Sequence, residues 1–212
     1  MNPTLEASIY KAGFATDTVH LLKDNGIPFD CDLLISYVPT MDLADDEYYM
    51  IQKYLNGGGN IMIIIDSNEL ANFNTLMNDY GLQINDGYLG DKSSYYTAYA
   101  SEYGYYCISP VLSENSDITA NIKNDALILF ARGMSRVAAN GSNTTVDEFL
   151  TTTNDGICYY DDSNYTEGRF IIGAVAEKQL STLDTSRLTV ISAQYIVSED
   201  ITKTISNVSN LD

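Results

Sequence analysis

Residues 31–66, CDLLISYVPTMDLADDEYYMIQKYLNGGGNIMIIID, decide the fold class. Two short apolar runs frame the stretch: Leu33-Leu34-Ile35, closed by Pro39, and Ile61 to Ile65. Continuous apolar runs of this length suit strands buried on both faces, as in a parallel sheet. Between them Asp42 stands where a helix cap belongs. Asp45, Asp46 and Glu47 then put acids in the first turn, which the positive helix end favours. Met50, Ile51, Tyr54 and Leu55 recur at helical spacing, and Gly57-Gly58-Gly59 stops the helix. The stretch predicts a right-handed βαβ unit. The triple glycine follows a helix and precedes a strand, the reverse of a phosphate loop, and no GK[ST] accompanies it.

Upstream, residues 4–14 predict a helix ending near Gly13, residues 17–22 a short strand, and Lys23 to Asp30 a loop marked by Asn25-Gly26 and Pro28. Downstream, Asn68 to Tyr80 carries Leu70, Phe73, Leu76 and Met77 on one helical face, with Gly81 as its stop. Short strands are expected at Leu82 to Ile84 and Leu127 to Phe130, and a helix or strand around Val146–Thr152. Arg169–Ala176 and Arg187–Ser192 read as core strands, and Ser198–Val208 as a terminal helix. No repeat or low-complexity linker divides the chain.

The chain of 212 residues is long enough for one sizeable core. Its 29 acids against 11 bases give a net charge of −18, which repels nucleic acid and anionic lipid surfaces. The acidic cluster Asp161-Asp162-Ser163-Asn164 lacks the spacing of a calcium loop. Cys31, Cys107 and Cys158 are odd in number and widely spaced, forming neither a metal motif nor a disulfide framework. With one histidine, His20, a zinc hydrolase or a Ser–His–Asp site is disfavoured. No stretch approaches the roughly 18 apolar residues of a membrane span. The N-terminus lacks the basic-then-apolar pattern of a signal peptide, so the chain is either cytosolic or an excised soluble domain.

Two places draw functional attention. Open parallel sheets bind ligands beyond the C-terminal ends of their strands, which points to Thr40 after the first strand and to Asp66, Ser67 and Asn68 after the second. Ser67 could serve as a nucleophile given a base within reach, but the favoured reading is that Ser67 or Asn68 caps the helix that follows, since Ser and Asn are among the best cap residues. The second place is SSYYTAYASEYGYY, which holds Tyr95, Tyr96, Tyr99, Tyr103, Tyr105 and Tyr106. Tyrosine is enriched at recognition surfaces and is also a good strand former, so a partner interface and an exposed β-region both remain open.

The order of segments carries a resemblance. IPFDCDLLISYVPTMDLADDE, YLNGGGNIMIIID, LMNDYGLQINDGYLGD, FLTTTNDGICYYD, GRFIIGAVAE and SRLTVISAQYIVSED together resemble the soluble domain of ABC-transporter auxiliary proteins of the gliding-motility (GldG-like) family. That family's domain looks like a relative of the class I glutamine amidotransferase fold. The resemblance implies an α/β domain with a three-layer, mostly parallel doubly wound sheet, amidotransferase- or flavodoxin-like, over residues 1–212, with an irregular β-rich, tyrosine-rich insertion at about 88–125.

It also implies a piece of a longer membrane-anchored protein on the extracytoplasmic face of the bacterial cell membrane. The expected partners are the membrane or ATPase subunits of an ABC transporter, with a cell-envelope ligand as a further candidate and no nucleic acid. No cofactor, metal or catalytic residue is expected. A degenerate or serine-based hydrolase is the alternative, and the oligomeric state stays open. Three positions depart from the family pattern. Its first strand and Gly-His-Gly-Glu loop are not recognisable before Leu5, Ser192-Ala193-Gln194 stands for its Gly-Asp-Ser, and Ser116-Asp117-Ile118-Thr119 for its His-Pro-Ile-Thr.

Overall fold

The structure, a computed structural model, describes residues 2–140, 143–161, 163–198, 208 and 210. Most of the terminal helix expected at Ser198–Val208 lies outside the described residues. The first helix, α1 (Pro3–Lys11), is capped by Asn2, whose Oδ1 accepts the backbone N–H groups of Thr4 and Leu5. The strand expected over 17–22 does not form. Residues 14–20 lack regular structure, and the one-turn helix α2 (Leu21–Asp24) follows. The reason is local: Asp24 accepts the His20 backbone N–H at 2.7 Å, and Asn25 closes the turn in the left-handed conformation.

The βαβ unit forms where the sequence predicts it: β1 (Leu34–Tyr37), α3 (Asp45–Asn56) and β2 (Asn60–Ile64), with β1 and β2 parallel. The last of its three glycines has a steric cause. A Cβ on Gly59 would stand 2.5 Å from the Tyr54 ring, and that ring is held by its hydroxyl, which donates to the Cys31 carbonyl at 3.0 Å and accepts the Asn60 N–H at 3.2 Å. Helix α4 (Ala71–Asp79) and β3 (Leu82–Ile84) come next. The tyrosine-rich part begins with β4 (Tyr88–Asp91), passes through short helical turns that include α5 (Ala100–Tyr103), and ends in β5 (Cys107–Ile108) and β6 (Val111–Leu112). The remaining strands are β7 (Ile128–Leu129), β8 (Met134–Arg136), β9 (Thr144–Thr151), β10 (Gly156–Tyr159), β11 (Tyr165–Glu167), β12 (Ile171–Gln179) and β13 (Thr185–Ile191).

The main sheet has eight strands in the order β1-β2-β13-β12-β8-β3, with β9 also on β12 and β6 on β9. The architecture is a strand-rich mixed α/β fold. The expectation of a mostly parallel sheet is corrected: among the described pairings, β1–β2 and β2–β13 are parallel and the other five are antiparallel. Parallel neighbours need a crossover of a dozen or more residues, usually helical. After α4 no long helix remains among the described residues to supply one, and β12 returns directly into β13 through a turn closed by Ser181 and Asp184.

Alternation along β2 explains the layers. Ile61, Ile63 and Ile65 face α3 and α4 with Phe73, Leu76 and Met77. Met62 and Ile64 face the other way, toward Leu5 of α1 and toward Leu89, Ile108 and Ile128 of the tyrosine-rich part. The small sheet β11-β10-β4 and the pair β5-β7 thus cover the sheet face opposite α3 and α4.

Candidate functional site

The parallel strands β1, β2 and β13 end along one edge of the sheet, and their continuations are Val38-Pro39-Thr40, Asp66-Ser67-Asn68 and Ser192-Ala193-Gln194. At the centre stands Asp66. Gln194 Nε2 donates to its Oδ2 at 2.6 Å, and Arg132 Nε donates to its backbone carbonyl at 2.9 Å while standing 3.6 Å from Oδ1. Oδ1 itself is buried and accepts no hydrogen bond. The Asp66 and Arg132 side chains are only 12% and 16% exposed. Burial pushes the Asp66 carboxyl above the usual carboxylate range, against the opposing pull of Arg132 and Gln194.

The edge is tied together from several elements. The Arg132 backbone N–H donates to Ser192 O at 2.9 Å, and the buried Ser192 hydroxyl donates to the Arg132 and Ile172 carbonyls. Tyr37 Oη donates to Gln194 O at 3.3 Å and accepts from Asn2 Nδ2. Two non-glycine residues here have left-handed backbones: Val38, at φ 43°, and Phe130, at φ 52°. For a β-branched residue this is a real outlier, and such strain costs on the order of 1–3 kcal/mol per residue.

Of the four residues the sequence singles out, only Asp66 joins this cluster. Ser67 Oγ accepts the Glu69 N–H at 3.2 Å, two residues along its own chain. Asn68 bonds to the Asp86 carboxylate, and its carbonyl accepts from Asn74 Nδ2. Thr40 is exposed in the loop after β1. Neither Ser67 nor Asn68 caps α4. That task falls to Asp42, which accepts the N–H groups of Asn72 at 2.8 Å and Phe73 at 3.3 Å across 30 residues of sequence. Asp42 therefore does not cap α3, the helix it precedes. There the cap position is Ala44, whose N–H donates to Glu47 Oε2 at 2.9 Å. Arg132 and Gln194 were missed because they lie far from Asp66 in sequence. Extending the strand-end rule to the third parallel strand would have found Gln194.

Arg132 also opens onto the tyrosines. Its guanidinium lies 4.5 Å from the Tyr88 ring centroid, and one nitrogen donates to Tyr88 Oη at 3.3 Å. Tyr88 meets Phe130 edge-on, and Phe130 packs against Tyr103 and Tyr106. The track continues from Tyr106 to Tyr159 at 5.4 Å and on to Tyr165 at 5.9 Å, where Lys92 Nζ sits 5.7 Å from the ring centroid. Alongside, Tyr95 meets Tyr105 edge-on at 4.9 Å. The predicted cluster therefore divides. Tyr96, Tyr99 and Tyr103 pack inward against Cys107, Leu127 and Leu129, with Tyr96 Oη donating to Ala126 O. Tyr105 faces outward with the half-buried Tyr95 edge-on against it, Tyr106 bridges, and Tyr88, Phe130, Tyr159 and Tyr165 join from elsewhere in the chain. One buried carboxylate braces this part: Asp91 accepts from the backbones of Ser93, Ser94 and Thr153 and from Thr153 Oγ1.

The cysteines are free. Burial pushes the Cys107 thiol up to about 11 and the Cys158 thiol upward as well, which leaves both protonated at neutral pH. An open depression of about 540 Å³ lies at the opposite end of the sheet, lined by Gly81, Arg136, Val137, Ala139 and Thr144–Val146. Among the described residues no group of three or more His, Cys, Asp or Glu side chains could hold a metal ion, and no helix is long and apolar enough to cross a membrane.

Residues 5–210 match the ABC transporter auxiliary family, described as an ABC-type uncharacterized transport system. The chain belongs to this family. Membership in the ABC transporter auxiliary family gives it a transport-associated role and implies association with transporter components. Among the curated proteins none matches the chain. Two solved structures are similar. The mmIFT52 N-terminal domain has a TM-score of 0.59 at 16% identity, over 87% of this chain and 74% of that one. A protein described as ThuA-like, from Bacteroides uniformis ATCC 8492, has a TM-score of 0.53 at 13% identity, over 98% and 77%. At such identities the likeness is one of fold alone.

Proposed function

We propose that this auxiliary protein is a non-catalytic recognition domain on the extracytoplasmic face of the membrane, and that it engages transporter components through the tyrosine face. The observation that carries the proposal is the connected aromatic track from Tyr88 to Tyr165, continued on its outer side by Tyr95 and Tyr105. Tyr105 and Tyr165 are 40% and 48% exposed, so large rigid rings with polar tips meet solvent on one face. Such rings give much contact area at low entropic cost.

The strand-end edge supports a role without chemistry. Asp66 is engaged by Arg132 and Gln194, Ser67 is turned to Glu69, and the buried thiols are protonated. His20 is exposed at the start of α2, and no bond joins it to Ser67. We read the three parallel strands, with α3 and α4 on one face and α1 on the other, as the retained centre of an amidotransferase-like arrangement.

A photoreactive amino acid placed at Tyr105 or Tyr165 tests the proposal in cells, with Tyr49 of α3 as the control position. Adducts with subunits of an ABC transporter are expected from 105 and 165 and not from 49. Adducts from 49 alone, or from none of the three, would overturn it.

A further inference from the structure

The geometry points to a lysine- or arginine-rich segment of a partner protein as the occupant of the tyrosine face, an inference that rests on the recognition reading above and gives the partner's chemistry. The rings present electron-rich π faces, which attract cations. The chain already uses them in this way at both ends of the track, with Arg132 over Tyr88 and Lys92 over Tyr165. The outward rings lie close together. Tyr95 packs edge-on against Tyr105, and Tyr159 packs against both Tyr106 and Tyr165.

The exposed charges on the same segments that lack an ion-pair partner have one sign. Glu102, Asp155 and Asp161 are exposed on the loops that carry the rings, and no basic side chain pairs with them among the described residues. Lys92, the one cation between Tyr88 and Tyr106, is already bound to Glu167 at 2.6 Å. The face therefore offers π surface and uncompensated carboxylates together, which fits basic side chains. On a chain of net charge −18 it repels an acidic partner, an anionic lipid surface and a second copy of itself.

The test uses the whole chain and a synthetic peptide of alternating arginine and glycine, beside matched peptides of glutamate–glycine and serine–glycine. Because the chain lacks tryptophan, its tyrosine fluorescence reports binding directly, with calorimetry as the second readout. At about 150 mM salt the arginine peptide binds and the other two do not. Tyr105→Ser combined with Tyr165→Ser weakens binding about tenfold or more, whereas the corresponding Phe pair, which keeps the π faces, stays within about threefold. Removing three charges from α3 (Asp45→Asn, Asp46→Asn, Glu47→Gln) leaves binding within about twofold, since that helix lies on the opposite side of the sheet.

Equal weakening by the α3 and serine variants would reduce the effect to general charge and overturn the inference. So would failure of the arginine peptide, or equally tight binding of the serine–glycine peptide. If the photoreactive positions still capture transporter subunits while the arginine peptide fails, the recognition reading stands and the basic partner does not.

Discussion

Asp66 and Glu148 are two carboxylates whose surroundings push them in opposite directions. Burial raises Asp66 more than Arg132 and Gln194 lower it, so the folded chain holds that proton more tightly than the unfolded one. Stability from this group therefore falls as pH rises out of the ordinary carboxylate range, and the cost persists at neutral pH. Burial also pushes Glu148 up, but its bonds to Arg169 and Arg136, at 2.6 and 2.5 Å, outweigh that and hold it low. Its contribution is present at neutral pH and is lost as acid protonates it. Urea denaturation across pH separates the two. Asp66→Asn should be more stable than the parent at pH 7 and converge with it in acid, and Glu148→Gln should be less stable at pH 7 and also converge. An Asp66→Asn variant less stable than the parent at pH 7 would show that the Arg132 attraction dominates instead.

At the scale of elements, the capping of α4 separates local from tertiary information. Ser67 and Asn68 have the right chemistry for a cap, yet the N–H groups of Asn72 and Phe73 go to Asp42 in the preceding βα loop. Asp42→Ala should cost about 1 kcal/mol in chemical denaturation. Ser67→Ala should change stability by less than about 0.5 kcal/mol, and the reverse ranking would restore the local cap.

The same contrast governs what the sequence made legible. The βαβ unit could be read from 31–66 because acids, helical spacing and the glycine stop all agree within one stretch. The antiparallel remainder could not, because a buried strand such as Arg187–Ser192 carries an apolar run whichever way its neighbour points. The strand-end rule found Asp66, whereas Arg132 reaches it only through the backbone pairing with Ser192 that the fold creates. The tyrosine cluster was visible as composition. Which rings turn in and which turn out depends on β4 pairing with β10, a contact between residues far apart in the chain.

For the whole molecule, Arg132 links the strand-end edge to the tyrosine face, bonded to Asp66 and stacked over Tyr88, and recognition by the tyrosine face is the central claim. The chain carries its own internal standards for testing it, since some of its 17 tyrosines, Tyr10 and Tyr49 among them, are exposed away from this face. Tyrosine-selective chemical footprinting, read residue by residue in membranes containing the transporter and in the isolated chain, measures the claim most directly. The expected result is that Tyr95, Tyr105, Tyr159 and Tyr165 become protected in the transporter-containing membranes while the exposed Tyr10 and Tyr49 are modified equally in both. Equal modification of the tyrosine face in the two states, or protection confined to Tyr10 and Tyr49, would contradict it.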